Sequence, residues 1–212
     1  MLINYILTID EPTYLICDMC NFISKYKQQR ICKLMLKARD ITVCQMILGE
    51  LLLKYVLVKH YKIKLKDILI KLGNNGKPYL DGSNINFNIS HSGNKVMCSC
   101  SDAPIGIDIQ RVNKNAQVDQ WSFSAKEAFG KKSGVGFYCG EVKIKRKCAM
   151  GKRYAEINSN GEKKLIYQNL YKKNYIVSIS SDALIDSKND FIMQEIKCAD
   201  LLNVIKGCEN NE

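Results

Sequence analysis

The apolar run over residues 2–9 reads as a first strand, and the pattern from Ser24 to about Tyr61 is helical. Within that stretch ITVCQMILGELLLKYVL is long, apolar and free of proline, with Asp40 placed to act as an N-cap. GNNGKPYL follows, where Gly73, Gly76 and Pro78 mark a turn. Three short β-like runs come next, INFNIS, KVMCSC and PIGIDIQ, with SHSG and SDAP as the turns between them. A helix is expected from about Ala125 to Lys132, ending near Gly134. The remainder reads mostly as strands, EVKIKRK, RYAEIN, KLIYQNL and YIVSIS, with an Asn160-Gly161 hairpin turn. KVMCSCSDAPIGID is echoed by NYIVSISSDALID, each a strand running into Ser-Asp-Ala. The echo fits two halves built on one strand-turn-strand unit and related by a pseudo-twofold axis. No low-complexity linker separates them, so a tight interface and a boundary near residue 112 are expected.

Composition narrows the class. A chain of 212 residues, 46% hydrophobic and 25% charged, can bury a real core as one medium domain or two small ones, and is too apolar for wholesale disorder. No apolar run approaches the roughly 18 residues that a membrane span needs. The opening MLINYILTIDEPTY lacks the basic start of a signal peptide, so a cytoplasmic protein without membrane contact is expected. Ten cysteines include one CxxC, Cys17 and Cys20, but no second pair completes a zinc set, and His60 and His91 are the only histidines. Cys98 and Cys100 alternate along a strand, so reduced, structural thiols are expected. The net charge of +11 is uneven: residues 25–77 carry +10 and residues 131–173 carry +9, around a middle block of −1. Such blocks suit a polyanionic ligand or an acidic partner surface. A nucleic-acid partner is not expected, because five of the 32 basic residues are arginine and few aromatics lie among them.

Three segments carry candidate chemistry. In GIDIQ, strand alternation sends Ile107 and Ile109 to one face and Asp108 and Gln110, two oxygen donors, to the other. In FSAKEAFGKKSGVGF two readings stand side by side. Ser124 and Glu127 have capping-box spacing, and Glu127 with Lys131 has the spacing of a surface ion pair. Alternatively Glu127 and Asp108 share a hard cation while Lys126 and Lys131 meet phosphate oxygens, an arrangement that suits Mg²⁺. FNISHSG presents Ser90, His91, Ser92 and Gly93, whose hydroxyls, imidazole and turn amides are able to hold an anion. Lys77, beside the rigid Pro78, adds a cation near a turn.

In this order GKPYL, FNISHSG, GIDIQ and FSAKEAFGKKSGVGF resemble the signature of the 4′-phosphopantetheinyl transferases, specifically the large two-lobed monomeric class that activates peptide and polyketide synthetases. The helical ICKLMLKARD…ILGELLLKYVL segment is similar to that family's N-terminal region, and the resemblance covers about residues 22–137. It implies an α+β fold of two similar lobes related by a pseudo-twofold axis, residues 1–112 and 113–212. Each lobe would be a small, mostly antiparallel sheet packed with helix, with the active site in the cleft between them. The implied activity transfers the phosphopantetheine arm of coenzyme A to a serine of an acyl or peptidyl carrier protein, releasing adenosine 3′,5′-bisphosphate. By the same resemblance Lys77 and Pro78 lie near the adenine, and Ser90 and His91 hold the 3′-phosphate. Asp108, Glu127 and Gln110 bind Mg²⁺, with Mn²⁺ as the alternative metal. Glu127 is the general base, and Lys126 and Lys131 neutralise the pyrophosphate. A monomer is implied.

Three departures from the family pattern qualify this. Position 110, usually acidic in the class, is Gln110, which offers an oxygen without charge. An arginine expected four residues before the helix glycine is Gln45, so Arg39 or Lys37 would have to serve the 3′-phosphate. The stretch between Asp108 and Glu127 is 18 residues, shorter than usual, which touches the carrier-docking side. These departures sustain an alternative: a degenerate homologue that binds coenzyme A or a carrier protein with little turnover.

Overall fold

The apolar run at the centre of the N-terminal half folds as one long helix, and a sheet lies against it. The computed structural model describes residues 2–34, 39–134, 143–149, 152–159, 162–182 and 192–209. Its first half comprises β1 (Leu2–Thr8), α1 (Thr13–Cys17), a 3₁₀ turn (Asp18–Phe22), α2 (Lys25–Leu34), α3 (Asp40–Tyr61), β2 (Ile70–Leu72) and β3 (Pro78–Leu80). Then come β4 (Asn86–Ser92), β5 (Lys95–Ser101), β6 (Ile105–Arg111) and α4 (Gln120–Ser133). The chain closes with β7 (Lys143–Ala149), β8 (Lys152–Ser159), β9 (Glu162–Tyr171), β10 (Tyr175–Ser181), β11 (Met193–Ile196) and α5 (Cys198–Glu209).

The strands form a four-stranded sheet ordered β11-β1-β5-β4, a five-stranded sheet ordered β6-β10-β9-β8-β7, and the β2-β3 hairpin. Neighbours are antiparallel except β1 with β11. The expected α+β class with mostly antiparallel sheets is therefore what forms. The echoed strands are β5 and β10, and after each Ser-Asp turn the next strand belongs to the other sheet: β6 follows β5 into the larger sheet, and β11 returns to pair with β1.

Period-2 alternation sorts the strands into layers. On β1 and β5, Ile3, Tyr5, Leu7, Val96, Cys98 and Cys100 pack with α3, while Ile6 and Met97 face the other way. There they meet Ile105, Ile107 and Ile109 of β6 and Tyr175, Val177 and Ile179 of β10. The far side of the larger sheet takes α4, through Ala125, Ala128 and Phe129 against Ala155, Ile157 and Ile166. The stacking order is helix, sheet, sheet, helix. Cys98 and Cys100 act as small apolar groups, and eight described cysteines are free thiols, in line with the expected reduced state. Burial raises the thiol pKa of Cys44 and Cys98, and that of Cys198 to about 12.

Several expectations need correcting. α3 reaches a mean hydropathy of 1.8 over an 18-residue window, which is apolar enough by length and composition to cross a bilayer. Two-thirds of that window (67%) is buried inside the protein, however, so its apolar surface faces core on most sides. Asp40 does not cap α3: Arg39 holds the cap position with extended backbone, and Asp40 is the first helical residue. β4 runs on through Ser92, so the turn is Gly93-Asn94 and not SHSG. α4 begins a turn earlier than expected, capped by Asp119, whose carboxylate accepts from the N–H groups of Trp121 and Ser122. Ser124 consequently lies buried inside the helix and bonds Ser178 Oγ at 2.8 Å, which rules out the capping box. α5 and β11 were not anticipated in a C-terminal part read mostly as strands. The Asn160-Gly161 turn and Lys37 lie outside the described residues.

α4 sits directly on β6 because position 106 has no side chain. A Cβ at Gly106 would stand 2.1 Å from Ala128 O and 2.2 Å from Lys132 N, both rigid backbone. Lys77 fixes the helix end by donating to Lys132 O at 2.8 Å and Ile105 O at 3.2 Å, and Gly134 terminates it in the left-handed region at φ 75°. Gly106→Ala must therefore push α4 off the sheet. Chemical denaturation is expected to show a loss of at least about 2 kcal/mol, since overpacking against backbone leaves no side chain able to yield; an unchanged midpoint would contradict this docking.

Candidate functional site

β4 presents opposite chemistry on its two faces. Phe87 and Ile89 pack on the α3 side, where Gly49 allows Ile89 Cγ2 to within 2.9 Å of its missing Cβ position. Asn88, Ser90 and Ser92 turn the other way, toward β6, which is an edge strand of the larger sheet. Their side-chain oxygens accept alternate β6 amides: Ile107 N–H to Asn88 Oδ1 (2.9 Å), Ile109 N–H to Ser90 Oγ (3.1 Å) and Arg111 N–H to Ser92 Oγ (3.0 Å). Edge amides that have no strand partner are thus satisfied by side chains, and the two sheets are joined.

The same join builds the site. Ser90 Oγ also donates to Asp108 Oδ1 (3.2 Å) and accepts from Lys131 Nζ (3.1 Å), while Lys131 donates to Asp108 Oδ1 at 2.8 Å. Glu127, one turn before Lys131 on α4, approaches the same ammonium with Oε2 at 3.5 Å. The i,i+4 pair of Glu127 and Lys131 therefore exists, but its lysine is drawn to a buried carboxylate on another element. Asp108 is 6% exposed, and its Oδ2 has no hydrogen-bond partner. Gln110 Oε1, two residues on and on the same strand face, is likewise buried without a partner. A cleft of about 470 Å³ opens over these atoms, lined by Ser90, His91, Asp108, Gln110, Phe123, Glu127 and Lys131 among others.

A second cavity of about 240 Å³ adjoins it, sharing Ile89, His91 and Lys131 and adding Tyr26, Lys27, Arg30, Gln45 and Pro78. Lys27 and Arg30, on α2, were passed over in the sequence. They are single cations in a basic stretch, and no local pattern marks which of them the fold turns inward. The start of α2 is held by Glu50 of α3, 1% exposed, which accepts from Ser24 N–H and Ser24 Oγ and lies 3.6 Å from Lys27 and 3.7 Å from Lys54. Burial lowers the pKa of Lys27, and Glu50 opposes that shift.

The expected site residues divide as follows. Ser90, His91, Asp108, Gln110, Glu127 and Lys131 are brought to one cleft, and Pro78 lines the adjoining cavity. Ser90 is 4% exposed and its hydroxyl is engaged by protein groups. Lys77 is engaged by the α4 terminus, and burial, then Lys132, lowers its pKa. Lys126 is half-buried, and the helical turn of one residue carries it off the face of Glu127 and Lys131. Gln45 donates to Gly93 O at 2.7 Å and so pins the turn after β4 to α3. Arg39 stands exposed at the start of α3.

No cluster of three or more His, Cys, Asp or Glu side chains suited to a metal exists among the described residues. Two carboxylates and an amide oxygen nonetheless fit a hard cation of the Mg²⁺ type, which takes one or two carboxylates together with waters and phosphates. The two partnerless buried oxygens, Asp108 Oδ2 and Gln110 Oε1, are what such a cation would satisfy.

Residues 13–102 match the family model described as 4′-phosphopantetheinyl transferase, N-terminal. Among curated proteins the chain is similar to the 4′-phosphopantetheinyl transferase gsp of Aneurinibacillus migulanus, 38% identical over 92 residues, or 43% of this chain and 37% of the relative. It is 34% identical over 83 residues to psf-1 of Bacillus pumilus, covering 38% of this chain and 36% of that protein. To Sfp of Bacillus subtilis (strain 168) it is 35% identical over 92 residues, 43% and 40% of the two lengths. The matched stretch thus spans well under half the length of each relative.

His91 lines both cavities, where its ring is partly withdrawn from water although the residue as a whole remains exposed. Loss of water around its ring, then the Lys131 and Lys27 charges, lowers its pKa below the ordinary 6.5. His60, bonded to Tyr5 Oη, is lowered too, by burial and then Lys59. As pH falls below about 6.5 the unfolded chain takes up protons that both folded imidazoles resist, so stability declines. NMR titration of the ring signals is expected to place both midpoints below that of an unfolded-state histidine; a His91 midpoint above it would show that desolvation and the lysine charges together do not outweigh Asp108.

Proposed function

We propose, on the premise that residues 13–102 share their family with the N-terminal region of 4′-phosphopantetheinyl transferases, that this chain moves the phosphopantetheine arm of coenzyme A onto a carrier-protein serine. The observation that carries the reading is the pair of buried, partnerless oxygens of Asp108 and Gln110. They face a cleft that Glu127 and Lys131 close from above, beside a second cavity holding Lys27 and Arg30. A nucleotide that carries both a pyrophosphate and a 3′-phosphate needs two anion-binding regions, and the paired cavities offer them.

In this reading Lys27, Arg30 and His91 receive the 3′-phosphate and Pro78 lies along the base. The pyrophosphate rests over Asp108, with Lys131 neutralising it. Asp108, Glu127 and Gln110 would hold Mg²⁺, or Mn²⁺ in its place, which when bound supplies positive charge against the pyrophosphate. The carrier serine oxygen forms a bond to the β-phosphorus, and the bond from that phosphorus to the bridging oxygen breaks, releasing adenosine 3′,5′-bisphosphate. Glu127 accepts the serine proton. The chemistry needs positioning and charge neutralisation above all, and these side chains provide both. Ser90 serves as a positioning residue, because its hydroxyl holds Asp108 and Lys131 in register with β6.

A second reading, a homologue that binds coenzyme A but turns over little, is favoured by one observation: the third oxygen of the site is the uncharged Gln110 and not a carboxylate. Incubation with Mg²⁺, coenzyme A and several apo-carrier proteins distinguishes the two by the mass gain of the carrier. Transfer is expected, with Asp108→Ala and Glu127→Ala each slowing it at least about 100-fold while the fold survives. Coenzyme A binding with no mass gain on any carrier would select the second reading, and full activity in Glu127→Ala would remove its role as base.

A further inference from the structure

We propose that Lys131 is the resident counter-cation of this site, and that a divalent cation enters only in company with a polyphosphate that draws the lysine away. The inference rests on the cation-and-pyrophosphate reading given above and specifies how that site is regulated.

The charges around the cleft set the problem. Asp108 and Glu127 contribute two negative charges, and the Lys131 ammonium, 2.8 Å from Asp108 Oδ1 and 3.5 Å from Glu127 Oε2, answers one of them. Gln110 adds an oxygen but no charge. A dication arriving alone would find Asp108 Oδ2 and Gln110 Oε1 without partners, yet it would sit beside an ammonium already bound to the carboxylate it must share. Like charges at such range in a partly dry site oppose one another strongly. Asp108 Oδ1 is further occupied by Ser90 Oγ at 3.2 Å, so only half of this carboxylate faces a newcomer.

A pyrophosphate changes both sides of the balance. It brings the negative charge that Gln110 does not, and it gives Lys131 a second partner. The lysine has room to follow, since it lines both cavities and its ammonium rotates on a flexible four-carbon stem. Once the ammonium moves toward phosphate oxygens, Asp108 keeps only the Ser90 hydroxyl on Oδ1, and its charge, with that of Glu127 and the oxygen of Gln110, would be available to the dication. Cation and polyphosphate then each strengthen the binding of the other, and linkage requires the two effects to be equal.

Mn²⁺ serves as the paramagnetic probe, read by NMR line broadening of the Ile109 and Gln110 amide signals at matched free Mn²⁺, with and without inorganic pyrophosphate. In the unaltered protein the half-broadening concentration is expected to fall at least about tenfold when pyrophosphate is present. Lys131→Met and Gln110→Glu should each broaden, without pyrophosphate, at a concentration about tenfold lower than the unaltered protein, and Lys131→Met should lose most of the pyrophosphate effect. Equal half-broadening in the unaltered protein with and without pyrophosphate overturns the proposal. So does a folded Gln110→Glu protein that needs as much Mn²⁺ as the original, a test that stands even if Lys131→Met fails to fold. Absence of local broadening under every condition removes the cation site itself; broadening that ignores both substitutions removes the counter-cation alone.

Discussion

Asn88, Ser90 and Ser92 do for β6 what a neighbouring strand would otherwise do: they accept three of its amides, one after another along the edge. An edge strand with unpaired N–H groups buried against another sheet would be costly, at roughly 1–3 kcal/mol for each unsatisfied group. The side-chain ladder meets that requirement without merging the sheets into one. Because the contacts run from β4 side chains and not from its backbone, the two sheets stay separate, and Asp108 lines the cleft. Ser90 belongs to the ladder and to the site together, so the orientation of Asp108 is fixed by the same contact that joins the sheets.

α4 supplies the opposite wall. Three anchors set its height over β6: the missing side chain at Gly106, the Lys77 ammonium on the carbonyls of Lys132 and Ile105, and the polar cluster of Ser124, Ser178 and Gln168 beneath its first turns. With the helix that close, Glu127 and Lys131, one turn apart, overhang Asp108. A surface ion pair of this spacing would contribute little. Here the lysine is shared between a helix carboxylate and a strand carboxylate, which makes it part of the site's electrostatics.

The basic charge of the chain also acquires a location. Glu50, buried in the middle of an otherwise apolar helix, draws Lys27 and Lys54 to itself and accepts both donors of Ser24 at the start of α2. A buried carboxylate flanked by two ammonium groups contributes modestly to net stability, but it fixes where α2 sits. That placement turns Lys27 and Arg30 toward His91 and makes the second cavity cationic. The same helix explains why hydropathy alone misleads here: α3 is apolar on nearly every side because a sheet, α1, α2 and α5 surround it, and Gln45, Glu50 and Lys54 find their partners within the protein.

Much of this was legible from residue pattern. Alternation placed β4, β5 and β6 within a residue or two, and apolar length placed α3; spacing left Glu127 and Lys131 between a surface ion pair and a shared cation site, and only the family resemblance of GIDIQ and KEAFGK grouped them with Asp108 and Gln110. Local rules failed where a tertiary contact outweighed them. Ser124 and Glu127 have the spacing of a capping box, but Asp119 caps the helix a turn earlier because Ser124 is needed against Ser178. SHSG reads as a turn, but strand pairing continues through Ser92 because Ser90 and Ser92 have amides to accept on β6. Lys77 reads as a ligand-facing cation, and the fold uses its ammonium on a helix end. The sequence by itself determined which residue types meet, since periodicity assigns each side chain to a face. Only the tertiary structure decided which of their atoms remain without partners, because burial, and with it the need of Asp108 Oδ2 and Gln110 Oε1 for a ligand, arises when two sheets and a helix close over the same few ångströms.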